Sequence, residues 1–97
     1  MMLIPGQIVY SKAGRDKGKY FVIIEVIDEN YVCISDGDMR RVDNPKKKKI
    51  KHLLITKKQA KNVMDKMRDS KRITNSDIRR CLMVFKDDLE QTNQENL

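Results

Sequence analysis

The chain has 97 residues, of which 36% are charged, 39% hydrophobic and 5% aromatic, with no Trp and a formal net charge of +7. That length gives one domain with a small core and leaves no room for a deep substrate cavity. No stretch approaches the apolar length of a membrane-spanning helix, so the net positive charge points to nucleic acid and not to a membrane.

Met1–Ile4 is too short for the apolar core of an export signal and is stopped by Pro5-Gly6. The expected location is therefore cytoplasmic. Gln7–Ser11 reads as a first strand. Lys12–Lys19 reads as a basic turn in which Lys12, Arg15, Lys17 and Lys19 surround Gly14 and Gly18. Glycine accepts the positive φ that a tight turn demands, so these cations are expected at the tip of a rigid hairpin. From Lys19 to Ile27 the chain is strongly apolar. Tyr20, Val22, Ile24 and Val26 form one face at period two. Phe21, Ile23, Glu25 and Ile27 form the other, which is expected to be covered in part by a C-terminal helix.

Asp28-Glu29-Asn30 is a turn signal, and Tyr31–Ser35 a third strand. Asp36-Gly37-Asp38 reads as a tight hairpin turn. A short fourth strand is expected over Met39–Val42, with Arg40 and Arg41 on opposite faces. Asp43-Asn44-Pro45 ends it, because Pro has no N–H for a ladder. A fifth strand is expected at His52–Ile55. Short strands at this spacing, with turn chemistry between them, predict a mainly β fold with α: a small five-stranded SH3-like barrel.

Residues 46–61 hold eight of the 21 basic residues (Lys46, Lys47, Lys48, Lys49, Lys51, Lys57, Lys58 and Lys61) and no acid. Elsewhere 13 basic residues stand against 14 acidic ones, so the excess charge is local. Thr56 and Gln59 fit a capping box, followed by the apolar stripe Ala60, Val63, Met64, Met67. A second short helix is expected after Thr74 or Asn75. Asp77 would lie in its first turn, and its stripe would be Ile78, Cys81, Leu82, Phe85 and Leu89. The expected division is a barrel at 1–55, a two-helix extension at 56–91 and a flexible tail at 92–97. Met39, Met64, Met67 and Met83 are expected to fill the core.

The strand–turn–strand pattern resembles a KOW motif: Gly6-Gln7-Ile8-Val9, then Gly14-Arg15-Asp16-Lys17-Gly18-Lys19, then Val22 to Asp28. Gly18 stands in the place of the motif's hallmark glycine. With Val32 to Gly37, Arg40-Arg41-Val42 and Lys51-His52-Leu53, residues 5 to 55 resemble one group in particular. That group is the fourteen-e, six-e and twenty-seven-e type of large-subunit ribosomal proteins and their small bacterial relatives. Tyr20-Phe21 departs from the family, which has a small residue or glycine after the turn. The resemblance implies a KOW barrel that binds structured RNA, above all ribosomal RNA of the large subunit, with ribosomal proteins as possible neighbours. KOW domains also occur in transcription elongation factors, where they bind proteins. The alternative expectation is thus a protein-interaction module using the amphipathic helices.

The residues themselves offer two constellations with functional content, the basic turn and the lysine run. The expected RNA-binding set is Lys12, Arg15, Lys17, Gly18, Lys19, Arg40, Arg41, Lys46, Lys47, Lys48, Lys49 and Lys51, forming one electropositive surface. Lysine neutralises phosphates as a point charge, and arginine adds a planar fork and a stacking surface. Tyr31 is the one aromatic that could stand exposed for stacking. Catalysis is not expected: no nucleophile, base and carboxylate converge, and no G-x-x-x-x-G-K loop is present. Cys33 and Cys81 read as reduced, buried thiols. His52 is the sole histidine, so neither a metal nor another cofactor is expected. Double-stranded DNA fits less well, because no helix carries paired base-reading side chains. The expected state is a monomer or a weak homodimer.

Overall fold

Alternating apolar residues set the first three strands and an i, i+3, i+4 repeat sets the helices. In a computed structural model, which describes residues 3–95, the chain forms a five-stranded antiparallel sheet followed by two helices. The strands are β1 (Gln7–Ser11), β2 (Tyr20–Val26), β3 (Tyr31–Ser35), β4 (Lys46–Lys49) and β5 (Leu53–Gln59). Their order in the sheet is β4-β3-β2-β1-β5. The first half of the Met1–Ile4 segment and the last two residues of the expected tail lie outside the described residues.

The sheet coils around its own core. Val9, Phe21, Ile23, Val32, Ile34 and Leu53 form one buried cluster, against which Leu3, Val26, Ile50 and Ile55 pack, and among the described residues none of these comes from the two C-terminal α-helices. Only a sheet curled back on itself can keep that face dry, so the fold is barrel-like. β4 and β5 are not hydrogen-bonded to each other, which leaves one seam open. A 3-10 turn, Ile50–His52, carries the chain across it. The Ile50 N–H donates to the Asn30 carbonyl at 2.8 Å, and the Lys12 N–H to the His52 carbonyl at 2.9 Å.

The helices α1 (Lys61–Arg68) and α2 (Asn75–Glu95) lie on the outer face of β1 and β2. There Val63, Ile78, Leu82 and Phe85 pack with Ile8, Tyr20, Val22 and Ile24. This reverses the expected cover: the helices take the Tyr20, Val22, Ile24 face, while Phe21 and Ile23 point into the barrel. Strict alternation also fails. The β2–β3 register slips between Ile23 and Glu25. The bulge advances the side-chain phase by one residue, so Val26 packs with the barrel interior and not with Val22.

The strand expected at Met39–Val42 does not form. The Asp36 carboxylate accepts the N–H groups of Asp38 at 3.0 Å and Arg40 at 2.9 Å. The Arg40 carbonyl accepts from the backbones of Asp36 and Gly37 and from the Ser35 hydroxyl. These bonds close residues 35–40 into a loop and leave few groups for a ladder, so the Asp36-Gly37-Asp38 segment opens a longer connection rather than a tight hairpin. The fourth strand is instead the lysine run itself, entered from Pro45. It is an edge strand, where lysine charge opposes pairing with another sheet.

β5 runs past the helix start expected at Thr56. The Thr56 hydroxyl donates to the Ile8 carbonyl at 2.7 Å and accepts the Lys58 N–H at 3.2 Å. It therefore secures the irregular β1–β5 pairing, and α1 begins after Ala60 without a side-chain cap. The sheet thus ends at Gln59, not at residue 55. α2 is 21 residues long, not short, and continues through most of the segment expected as a tail.

The start of α2 follows its sequence signal. The Asp77 N–H donates to the Thr74 hydroxyl at 3.2 Å, and the Thr74 N–H to the Asp77 carboxylate at 2.9 Å, a reciprocal capping box. The Tyr20 ring meets Phe85 edge-on at 4.9 Å and fixes α2 to β2. Met64 and Met67 are partly buried as expected, but Met39 and Met83 are 72% and 63% exposed. Cys33 and Cys81 are free and only partly buried, not core thiols. Among the described residues no helix is long and apolar enough to cross a membrane.

Candidate nucleic-acid interface

The connection from β1 to β2 is a closed turn. Gly14 and Gly18 take φ of 79° and 89°, which only glycine adopts without strain. The Gly18 N–H donates to the Ser11 carbonyl at 2.9 Å, and the Ser11 N–H to the Lys19 carbonyl at 3.0 Å. Lys12, Arg15 and Lys17 project from this turn into solvent. Asp16, the one acid among them, turns inward. Its carboxylate is 8% exposed and receives Arg40 Nε at 3.3 Å and Nη2 at 3.2 Å. That is the two-pronged geometry a guanidinium offers a carboxylate.

Strand alternation divides the lysine run. Lys46 stands opposite Ile34 and Lys48 opposite Val32, on the inner side of the sheet. Lys47 stands opposite Cys33 and Lys49 opposite Tyr31, on the outer side. Lys48 is buried, and its ammonium donates to the Ala13 carbonyl at 2.9 Å. The Arg40–Asp16 and Lys48–Ala13 contacts therefore tie the basic turn to the Arg40–Lys49 segment. They bring together the two constellations that the sequence singles out.

The expected cations do not all join that surface. Arg40 is paired with Asp16 and Lys48 is turned inward. Arg41 is exposed, with its guanidinium 3.9 Å from Asp43. Lys19 lines a cleft against α2, together with the acids Asp36, Asp38, Asp87 and Glu90 and the cations Arg79 and Lys86. Gly18 serves the turn. The cations left open around the turn are Lys12, Arg15, Lys17 and Lys46. Lys51 is exposed next to His52, whose carbonyl holds Lys12. Lys47 and Lys49 belong to a different face, so the single electropositive surface expected from sequence is two surfaces.

On the outer face of β3 and β4, Lys47 Nζ stands 4.6 Å from the centre of the Tyr31 ring, a cation–π pair. Cys33 lies between Glu25 and Lys47 on the same face. Burial and the Glu25 carboxylate raise the Cys33 thiol pKa, and Lys47 opposes them. A cleft beside Tyr31 is lined by Glu29, Asn30, Lys49, Ile50 and Lys51. On the helical side, burial pushes Cys81 to about 11. At neutral pH that thiol is protonated and a poor nucleophile.

The supporting residues were not all visible in the sequence. A lone acid among four cations, Asp16, is a signal that one cation elsewhere must approach it. Arg79 and Asn75 carry no such signal. Yet Arg79 Nη1 donates to the Gly37 carbonyl at 2.6 Å, and Asn75 Oδ1 accepts the Val42 N–H at 2.8 Å. They anchor the loop that presents Arg40. Fold and site together define a small barrel-like β protein whose basic turn is braced by an edge strand of lysines. No protein-family model matches the chain.

Proposed function

We propose that this chain is a non-enzymatic RNA-binding protein that grips the phosphate backbone of structured RNA with the surface around its basic turn. The observation that carries this reading is the Lys48–Ala13 contact with its companion Arg40–Asp16. Two segments far apart in sequence are joined there, and Lys12, Arg15, Lys17 and Lys46 remain solvent-facing around the join. A held cluster of cations loses little freedom when phosphates dock, and release of condensed counterions favours the complex. The resemblance of residues 5–55 to KOW proteins of the large ribosomal subunit makes ribosomal RNA the preferred substrate, with ribosomal proteins alongside.

The test is sedimentation of tagged protein from a lysate through sucrose gradients at low and high salt. Co-migration with large subunits that high salt reverses supports the reading. Migration in the light fractions under both conditions removes the ribosome from it.

A second reading rests on α2. Met83, Val84 and Leu89 are 63%, 55% and 38% exposed, and Met39 is 72% exposed. Under this reading the helices dock a protein of the transcription or translation machinery. Binding held by those side chains would persist at high salt, where a phosphate-bound complex dissociates.

A further inference from the structure

The outer face of β3 and β4 is the part of the molecule that the surface around the basic turn leaves unused. The helices pack on the outer side of β1 and β2, and among the described residues neither Tyr31 nor Cys33 belongs to that helix-packed cluster. Tyr31 also differs from the other aromatic residues. Tyr10, Tyr20 and Phe85 form a chain of ring contacts at 5.0 and 4.9 Å, and Phe21 is fully buried. Lys47 Nζ stands over one face of the Tyr31 ring, and the ring also lines a cleft, which is where a base would have to reach it.

We propose that this face is a second RNA contact that takes an unpaired nucleotide, with Tyr31 stacking the base and Lys47 and Lys49 holding the flanking phosphates. This inference rests on the RNA-binding reading and adds a site and a substrate class to it. Each part of the face suits that ligand. An aromatic ring offers a stacking surface to any base, and nearby cations follow the backbone. The cleft beside the ring is lined by Ile50, an apolar wall, and by Asn30 and Glu29. Those two side chains can donate to and accept from the edge of an unpaired base. A base in a duplex has neither its face nor its pairing edge free for this.

The platform is also fixed in advance. The Asp28 carboxylate accepts the N–H groups of Asn30 at 2.8 Å and Tyr31 at 2.9 Å, and the Asn30 carbonyl holds Ile50 at 2.8 Å. The turn that carries Asn30 and the strand that carries Tyr31 are thereby set against Lys49 before any ligand arrives. Because Lys46 and Lys48 leave β4 on one side and Lys47 and Lys49 on the other, the two contacts lie on opposite sides of one edge strand. The RNA that satisfies both is a structured element with a single-stranded flank.

The experiment compares a blunt RNA hairpin with the same hairpin carrying a single-stranded 3′ extension that contains 2-aminopurine. Wild-type protein should bind the extended RNA more tightly and quench the 2-aminopurine. Tyr31→Ala should remove that advantage, a loss of about tenfold, abolish the quenching, and leave affinity for the blunt hairpin unchanged. Tyr31→Phe should retain both effects. If Tyr31→Ala fails to fold by circular dichroism, Tyr31→Leu keeps apolar bulk and carries the same test. The double variant Arg15→Glu, Lys17→Glu should weaken binding to both RNAs. A folded Tyr31→Ala protein that binds and quenches as wild type, while the Arg15 and Lys17 variant loses both RNAs, overturns the nucleotide site and leaves the first reading standing. Equal loss of both RNAs in Tyr31→Ala also overturns it. Indifference of every variant to either RNA overturns both readings.

Discussion

Lys48 Nζ lies 2.9 Å from the carbonyl oxygen of Ala13. The contact joins an edge strand to the turn between the first two strands. A lysine in a run of four would ordinarily count as solvated charge. Here its place on the inner side of the strand turns it into a brace.

Lys48→Ala should therefore destabilise the fold while its neighbours tolerate the same change. A hydrogen bond from a charged group contributes about 1.5–3 kcal/mol, and part of that is offset by the cost of holding the ammonium out of water. A loss of about 1–2 kcal/mol is expected, or roughly 4–16 °C in Tm for a domain of this size. Lys46→Ala, at an exposed position, should stay within about 0.5 kcal/mol of wild type. Urea and thermal unfolding of the two variants decide the matter.

Asp16→Asn separates stability from binding. It removes the carboxylate that pairs with Arg40, whose side chain is 29% exposed, so water recovers part of the loss. A destabilisation of about 1–2 kcal/mol is expected. The change also adds one net positive charge and releases a guanidinium beside the basic turn. RNA affinity should rise even as stability falls. Paired measurements of unfolding and of RNA anisotropy test this, and equal affinity for the two proteins would deny Arg40 any access to phosphate.

Gly37→Ala should be far more damaging than its small size suggests. Gly37 has φ of 75°, and an added Cβ would collide with the Asn75 carbonyl and press on Ile78 at 3.2 Å. Its own carbonyl holds Arg79. Strain at positive φ together with the clash should cost about 2–4 kcal/mol, seen as a lower denaturation midpoint or as failure to fold.

Asp77 should make stability depend on acid. The Lys66 ammonium, 2.7 Å away, and the Thr74 N–H hold its carboxyl below the ordinary value of 3.8. The native carboxyl thus releases its proton at a lower pH than the unfolded one. Its contribution is complete above the unfolded value and is lost as pH falls through the native one. Asp77→Ala should cost about 1–2 kcal/mol at neutral pH through the lost cap, and should flatten the fall in stability as pH drops through and below the ordinary carboxylate range. Unfolding curves for the two proteins across that range give the answer.

Much of this architecture was legible in the sequence. The period-two runs at Gln7–Ser11, Tyr20–Val26 and Tyr31–Ser35 are strands, and the Thr74–Asp77 cap opens α2. The failures have physical causes. Met39–Val42 has strand composition, but Asp36 satisfies its backbone locally. Four lysines have no apolar face, so Lys46–Lys49 reads as surface charge; it becomes a strand because β3 offers a ladder. Thr56 and Gln59 mimic a helix cap, yet the hydroxyl is taken by Ile8. The basic turn and the lysine run were visible as charge. Their union through Lys48 and Asp16 was not, because it depends on how the sheet coils.

The central claim is that the cations around the basic turn hold RNA phosphates. It is tested most directly by the salt dependence of RNA affinity for wild type and for the Arg15→Glu, Lys17→Glu variant. If Lys12, Arg15, Lys17, Lys46 and Lys51 each neutralise a phosphate, log K should fall against log salt with a slope of roughly −3.5 to −4.5. The variant should bind more weakly, with a slope shallower by about two. Affinity that ignores salt, or a variant that binds with the wild-type slope, would contradict the claim.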